Sequence, residues 1–294
     1  MDAKFYPARA AIKAGDIDKL RELIAQDPSL PTARSSRSHP TLLQCLALDA
    51  VDVSNKVEMA KVLVDAGADI DGALGAAASM DNVEVAELLL DRGAAINGVG
   101  SWSPLEETLY WRNYKVRDLL LVRGASTHNL RIASGLGRLD LIESFFSNDG
   151  SLKPAAGKID WPFGELEKSN LNCGIKTELQ AEIGAWSDDP QDIINNAFLY
   201  ACNNNQIDAA RVLLEKGAQV NTIPPGFDFA GTGLHYAAHN GDRALLEFLL
   251  ERGADVNIKD AKVGSTAAGW ADHGGHPELK DYLEQLASNT AGNS

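Results

Sequence analysis

Three cysteines in 294 residues are too few to staple a fold. Cys45, Cys173 and Cys202 are odd in number and far apart, so no disulfide framework is available. No two of them form a CxxC pair, which removes the usual thiol metal site and redox couple. A catalytic thiol needs a neighbouring base, and the local sequence supplies none. Cys45 and Cys202 read as buried small hydrophobes. Positive charge is also short. Lys and Arg number 27 against 41 Asp and Glu, for a net charge of −14. A chain this acidic repels nucleic acid and anionic membrane. No apolar run approaches the roughly 18–20 residues of a membrane span. The opening stretch, Met1 to Pro7, has no signal-peptide core. These absences lead to the expectation of a cytoplasmic protein with neither nucleic acid nor membrane as partner. Motifs for common chemistry are missing as well. There is no GxSxG, no P-loop and no GxGxxG opening a helix after a strand. Gly135-Leu136-Gly137-Arg138 reads as a turn between helices, not as a phosphate loop.

What remains is ordinary for a folded protein: 45% hydrophobic and 23% charged residues. The length suits roughly two domains, or one repeat array. Self-comparison favours the array. Leu213-Leu214-Glu215-Lys216-Gly217-Ala218-Gln219-Val220-Asn221 recurs as Leu249-Leu250-Glu251-Arg252-Gly253-Ala254-Asp255-Val256-Asn257, with the glycines 36 positions apart. Weaker copies end at Gly67-Ala68, Gly93-Ala94 and Gly124-Ala125, and a degenerate one at Gly150. Each unit reads as helix, turn, helix, glycine stop. In the clearest one, Leu234, Ala237 and Ala238 make a short apolar face. Asn240-Gly241-Asp242 breaks the chain. Leu245, Leu246, Leu249 and Leu250 then form a second stripe at helical spacing. Gly253 stands where a left-handed helix stop is wanted. Such a pair cannot bury its faces alone, so it must stack on neighbours.

The stretch Gly231-Thr232-Gly233-Leu234-His235-Tyr236-Ala237-Ala238-His239-Asn240-Gly241, followed by Leu249 to Asn257, resembles the ankyrin repeat. Residues 223–276 further resemble a bacterial subgroup of such proteins, of unclear function. The resemblance implies an all-α fold, an ankyrin-repeat solenoid of about eight helix–turn–helix units in a single domain, 1–294. It is weakest in the first unit, Ala8 to Ile24, and the fifth, Leu130 to Gly150. About five extra residues, Ala50 to Ser54, separate the helices of the second unit. A long insertion, 151–190, precedes the sixth and holds Trp161, Phe163 and Trp186. Its middle, Leu171 to Ile183, reads as a short helix, and Asp188-Asp189-Pro190 as a helix start. Residues 288–294 read as a flexible tail. The family favours Thr-Pro-Leu-His at the start of each first helix, and only Thr232-Gly233-Leu234-His235 keeps the histidine. Arg9, Gln44, Gly75, Glu106, Arg131, Leu199 and Gly269 stand at that position elsewhere. The polar network between repeats is therefore expected to be mostly absent and the stack irregular.

The resemblance also implies that the finger loops and the exposed sides of the first helices line a concave binding face. Carried over unit by unit, the fourth offers Trp102, Glu107, Tyr110 and Trp111. The sixth offers Tyr200, Asn203 and Asn204. The seventh offers Phe227, Asp228, Phe229, Tyr236 and His239, and the eighth Trp270 and His273. Aromatics with a polar handle suit recognition. The column Tyr200, Tyr236 and Trp270 reads either as contact or as packing between repeats. Trp111 stands where a variable surface residue is expected. His239 and His273, with Asp272 or Asp228, are a weak metal pattern without a third fixed ligand, so no metal is expected. Glu107, Asp228, His239 and His273 are the acid–base candidates, and they read as solvated groove residues. No catalytic residue and no cofactor is assigned. The expected function is non-catalytic binding of a protein or peptide, one with basic groups given the acidic chain. The alternative is a small-molecule site or an enzyme, with its pocket made where the 151–190 insertion covers the groove and Trp161 or Trp186 as lid.

Overall fold

The computed structural model describes residues 2–35, 41–99, 102–158, 187–227 and 230–291. Sixteen α-helices run through these segments as eight antiparallel pairs. The pairs are α1 (Phe5–Ala14) with α2 (Ile17–Gln26), α3 (Leu42–Asp49) with α4 (Lys56–Asp65), α5 (Asp71–Ser79) with α6 (Val83–Asp91), and α7 (Pro104–Trp111) with α8 (Tyr114–Val122). Then come α9 (Leu130–Gly135) with α10 (Leu139–Ser144), α11 (Pro190–Asn203) with α12 (Ile207–Glu215), α13 (Gly233–His239) with α14 (Arg243–Glu251), and α15 (Ala267–His273) with α16 (Pro277–Ala291). The described residues fall into two compact units. One is 2–126 and carries α1 to α8; the other is 127–158 with 187–291 and carries α9 to α16. Repeats touch only their neighbours, so an array can divide this way with each part keeping its own core.

The glycine stops explain the repeat. At the end of α14, the Gly253 N–H donates to the Leu250 carbonyl at 3.0 Å and the Ala254 N–H to the Leu249 carbonyl at 3.0 Å. Gly253 has φ +87°, the left-handed conformation that closes a helix in this way. The same pair of bonds closes α4, α6, α8 and α12. The leucine that accepts from the alanine is Leu63, Leu89, Leu120, Leu213 or Leu249, and each has no exposed surface. One residue per repeat therefore both anchors the stop and fills the core.

The polar network between repeats is present, which corrects the sequence expectation. His235 accepts the Thr232 N–H at Nδ1 (3.1 Å), so its Nε2 carries the proton and donates to the Ser265 carbonyl of the next repeat (3.1 Å). Burial holds its imidazole below the usual pKa and so neutral. Gln44 does the same work in the second repeat. Its Oε1 accepts the Thr41 N–H at 3.1 Å and its Nε2 donates to the Gly72 carbonyl at 3.3 Å. Glu106 takes the capping half, accepting the Ser103 N–H at 2.7 Å. A second set of bonds comes from residues that open the second helices. Asn55, Asn82 and Asn113 donate from Nδ2 to the carbonyls of Gly15, Ala47 and Ala78 in the repeat before. A third set ties the finger loops: Ala95 N–H to Asp71, Ser126 N–H to Asn97, Gln219 N–H to Asn195 and Asp255 N–H to Asn221.

Other expectations meet the structure unevenly. Six residues separate α3 from α4, against three between α5 and α6, so the second unit does carry a longer turn. Helix α11 starts at Pro190 behind the Asp189 cap, which accepts the Gln191 N–H at 2.7 Å. The start of the 151–190 insertion holds a bridge from Phe146 to Leu152 and a 3-10 turn at Pro154–Ala156. The expected helix at 171–183, with Trp161, Phe163 and Trp186, lies outside the described residues. Helical structure continues in α16 through 288–291, the start of the expected tail, with Ser288 Oγ donating to the Glu284 carbonyl at 2.9 Å.

Candidate functional site

In the unit of residues 2–126, the aromatic residues of the fourth repeat gather on one carboxylate. Ser103 caps α7, with Pro104 at its first position, and this fixes the helix start. Glu107, Tyr110 and Trp111 then follow at helical spacing of three and four, on one face. Trp102 precedes the cap and folds back. Its indole N–H donates to Glu107 Oε2 at 2.6 Å, while the Trp111 indole N–H donates to Oε1 at 2.9 Å. Tyr110 stands edge-on to both indoles, with ring centroids at 6.0 Å from Trp102 and 4.9 Å from Trp111. Trp111 keeps 44% of its surface exposed. Trp102, Glu107 and Tyr110 are half-buried.

Glu107 is therefore not the solvated groove residue that the sequence suggests. Burial pushes its carboxyl up to about 7, against the pull of the Trp102 and Trp111 donors, and the neighbouring Glu106 carboxylate adds to the rise. The folded chain thus binds a proton that the unfolded chain releases near 4.5. This group favours folding most below about 4.5 and loses its contribution as pH rises to about 7. The shift corresponds to about 3 kcal/mol. Glu107→Gln should remove this slope. Melting temperatures of the two proteins from pH 5 to 8 check it, and parallel curves would show that Glu107 titrates as a free carboxyl.

In the other unit, the sixth to eighth repeats share a file of rings. Tyr200 on α11 meets Phe227 at 5.0 Å, Phe227 meets Tyr236 on α13 at 5.3 Å, and Tyr236 meets Trp270 on α15 at 5.3 Å. His239 lies 6.0 Å from Trp270 and stacks on His273 at 5.7 Å. Exposure grows along the file. Tyr200, Phe227 and Tyr236 are buried, Trp270 and His239 half-buried, and His273 exposed. Of the two readings open for this column, burial supports packing at Tyr200 and Tyr236. Each lies between first helices of successive repeats, whereas Trp270 on α15 is only half-buried. Asn203 and Asn204 are buried as well and hold the turn. Asn204 donates to the Tyr200 carbonyl, and Asn203 accepts from Asn240. Asp228 and Phe229 lie outside the described residues.

Sequence reasoning missed Asp260. It is buried and accepts the N–H groups of Lys262, Val263 and Ser265 and the Trp270 indole N–H, all within 2.7–3.0 Å. Burial opposes its charge, but these donors outweigh that and hold its carboxyl below the usual range. One aspartate thus shapes the finger loop and sets the Trp270 ring. The signal was an aspartate with a turn glycine four residues on, Asp260 and Gly264, just before a helix. Gly231 completes the seat: a Cβ there would come within 3.0 Å of the Trp270 ring. Among the described residues, no group of three His, Cys, Asp or Glu side chains could hold a metal ion.

Residues 178–260 match the family model for ankyrin repeats, in three copies. The chain is 25% identical over 126 residues to a putative ankyrin repeat protein, L271, of Acanthamoeba polyphaga mimivirus, covering 43% of this chain and 17% of that protein. It is 30% identical over 112 residues to the Caenorhabditis elegans Arf-GAP with ANK repeat and PH domain-containing protein cnt-1, covering 38% and 13%. It is 35% identical over 74 residues to the palmitoyltransferase AKR1 of Kluyveromyces lactis, covering 25% and 9%. The chain therefore spans less than a fifth of the length of these relatives. The helix pairs, the glycine stops and these matches show an all-α chain that carries ankyrin repeats, by the family model at residues 178–260, repeats of a kind that builds protein–protein interaction modules.

Proposed function

We propose that the chain recognises a protein or peptide without catalysing a reaction, and that its partner carries basic groups. The observation that carries this is the Trp102, Glu107, Tyr110 and Trp111 cluster, which presents rings and a carboxylate on a rigid helix. Exposed aromatic surface set in well-packed repeats is what binding anchors require. In the other unit, Trp270, His239 and His273 offer a proposed contact surface of their own; Asp228 and Phe229, which the repeat resemblance adds to it, lie outside the described residues. A net charge of −14 favours basic partners and disfavours nucleic acid and anionic membrane. Among the described residues, no helix is long and apolar enough to cross a membrane. The buried free thiol of Cys202 suits a reducing, cytoplasmic setting. Two relatives are named as an Arf-GAP and a palmitoyltransferase, but the matched fraction of each is too small to bring their activities here. The alternative pocket rests on the 151–190 insertion, most of which lies outside the described residues, so no observation favours it.

Labelled peptides of equal length that are basic, neutral or acidic test this reading by fluorescence anisotropy. Basic peptides should bind, and their affinity should fall as salt is raised. Equal binding of acidic peptides, or no binding by any class, would overturn it.

A further inference from the structure

The surroundings of Glu107 bear on when a basic group is held, and this step rests on the proposed recognition of a basic partner. Glu107 is half-buried, and its oxygens accept the indole N–H groups of Trp102 at 2.6 Å and Trp111 at 2.9 Å. Both donors are neutral. Among the described residues, no Lys, Arg or His pairs with Glu107. The charged groups nearby are engaged elsewhere. Glu106, one residue earlier on α7, is fully buried, accepts the Ser103 N–H at 2.7 Å and carries charge of the same sign. Helix α5 packs against α7 and brings Asp71, which accepts the Ala95 N–H at 2.7 Å. Asp81, in the turn after α5, accepts the Val116 N–H at 2.8 Å. Helix α8 brings Tyr114, Lys115, Arg117 and Asp118. Arg117 pairs with Asp118 at 2.8 Å and lies 4.7 Å from the Tyr114 ring, while Lys115 acts on Glu84. Arg112, between α7 and α8, donates to the Tyr114 hydroxyl at 2.8 Å. A half-buried carboxyl beside a second buried acid, with no cation of its own, holds its proton longer than one in water. A partner's lysine or arginine brought within about 4–6 Å would favour the ionised form, and each oxygen can still accept a further bond. We infer that capture of the basic partner is coupled to loss of a proton from Glu107, so that the chain holds its partner more tightly above neutral pH than below it.

The sign follows from linkage. Burial and Glu106 place the carboxyl of the free chain at about 7. Well below that value, binding must expel the proton; well above it, the free chain is already ionised and no such step remains. Affinity therefore rises with pH between these limits and is level outside them. A partner whose charge brings the group down to about 6 gains roughly tenfold in affinity across the rise and releases about half a proton near pH 6.5.

The test uses the full chain and a labelled arginine peptide, acetylated, amidated and free of His, Asp and Glu, so that the ligand itself does not titrate. Anisotropy titrations at constant ionic strength from pH 5.5 to 8.5 should show affinity rising roughly tenfold and levelling above about 8. Calorimetry at pH 6.5 in two buffers of different ionisation heat should detect the released proton. Glu107→Gln should bind with an affinity that no longer follows pH. Trp102→Phe, which removes one donor to the carboxylate, should keep the rise and move its midpoint upward. A flat affinity for the native chain, no proton release, or the same rise in Glu107→Gln would overturn the inference and leave recognition of basic partners standing. No binding at any pH would remove both.

Discussion

Replacing Tyr200 with Ala is expected to destabilise the unit that carries it by about 3–5 kcal/mol. The side chain has no exposed surface, and its ring packs 5.0 Å from Phe227. Removing it leaves a void between the sixth and seventh repeats that helices fixed by glycine stops and capping bonds cannot collapse to fill. Tyr200→Phe keeps the ring and should cost much less. Denaturant unfolding of the two variants makes the comparison. A loss under about 1 kcal/mol for the alanine variant would mean that Tyr200 works at the surface, with the column made for contact instead of packing.

Leu249→Ala carries the second large effect, about 2–5 kcal/mol. Leu249 is fully buried, and its carbonyl accepts the Ala254 N–H that closes α14. The backbone bond survives the substitution, so the loss reports core packing at this repeat position. Leu63, Leu89, Leu120 and Leu213 occupy the same place, and their alanine variants should lose similar amounts. Equilibrium unfolding checks the series. A negligible loss at Leu249 with a large one at its neighbour Leu250 would shift the whole repeat register by one residue.

The fold was legible where local rules decide. Leucines at helical spacing followed by Gly-Ala specify a stop that needs no distant partner, and even the weak first and fifth units formed helix pairs. The network between repeats was less legible, because attention to His235 hid the chemistry behind it. Any side chain that accepts the cap N–H three residues back will serve, and Gln44 does so while reaching the next repeat. The division into two units was not readable, since every repeat boundary looks alike in sequence.

The site divides in the same way. Residue type and helix position identified the fourth-repeat aromatics, and helical spacing placed Glu107, Tyr110 and Trp111 together. The fold-back of Trp102 depends on the angle at which the chain enters α7, and no spacing rule encodes that. Burial of Tyr200, Phe227 and Tyr236 depends on how closely α11, α13 and α15 approach, which is tertiary information. Asp260 escaped notice because a loop aspartate usually faces water, whereas this one gathers four donors.

The central claim is that Trp111 serves binding while Tyr200 serves the core. It is tested most directly by measuring basic-peptide affinity and thermal stability together on the Trp111→Ala variant. The account predicts a stability loss clearly smaller than that of Tyr200→Ala, because Trp111 keeps 44% of its surface exposed while Tyr200 keeps none; its hydrogen bond to Glu107 and its edge contact with Tyr110 are among what it gives up. It also predicts an affinity loss of roughly tenfold or more, as expected for an anchor. A variant as destabilised as Tyr200→Ala that still binds the peptide with undiminished affinity would contradict it.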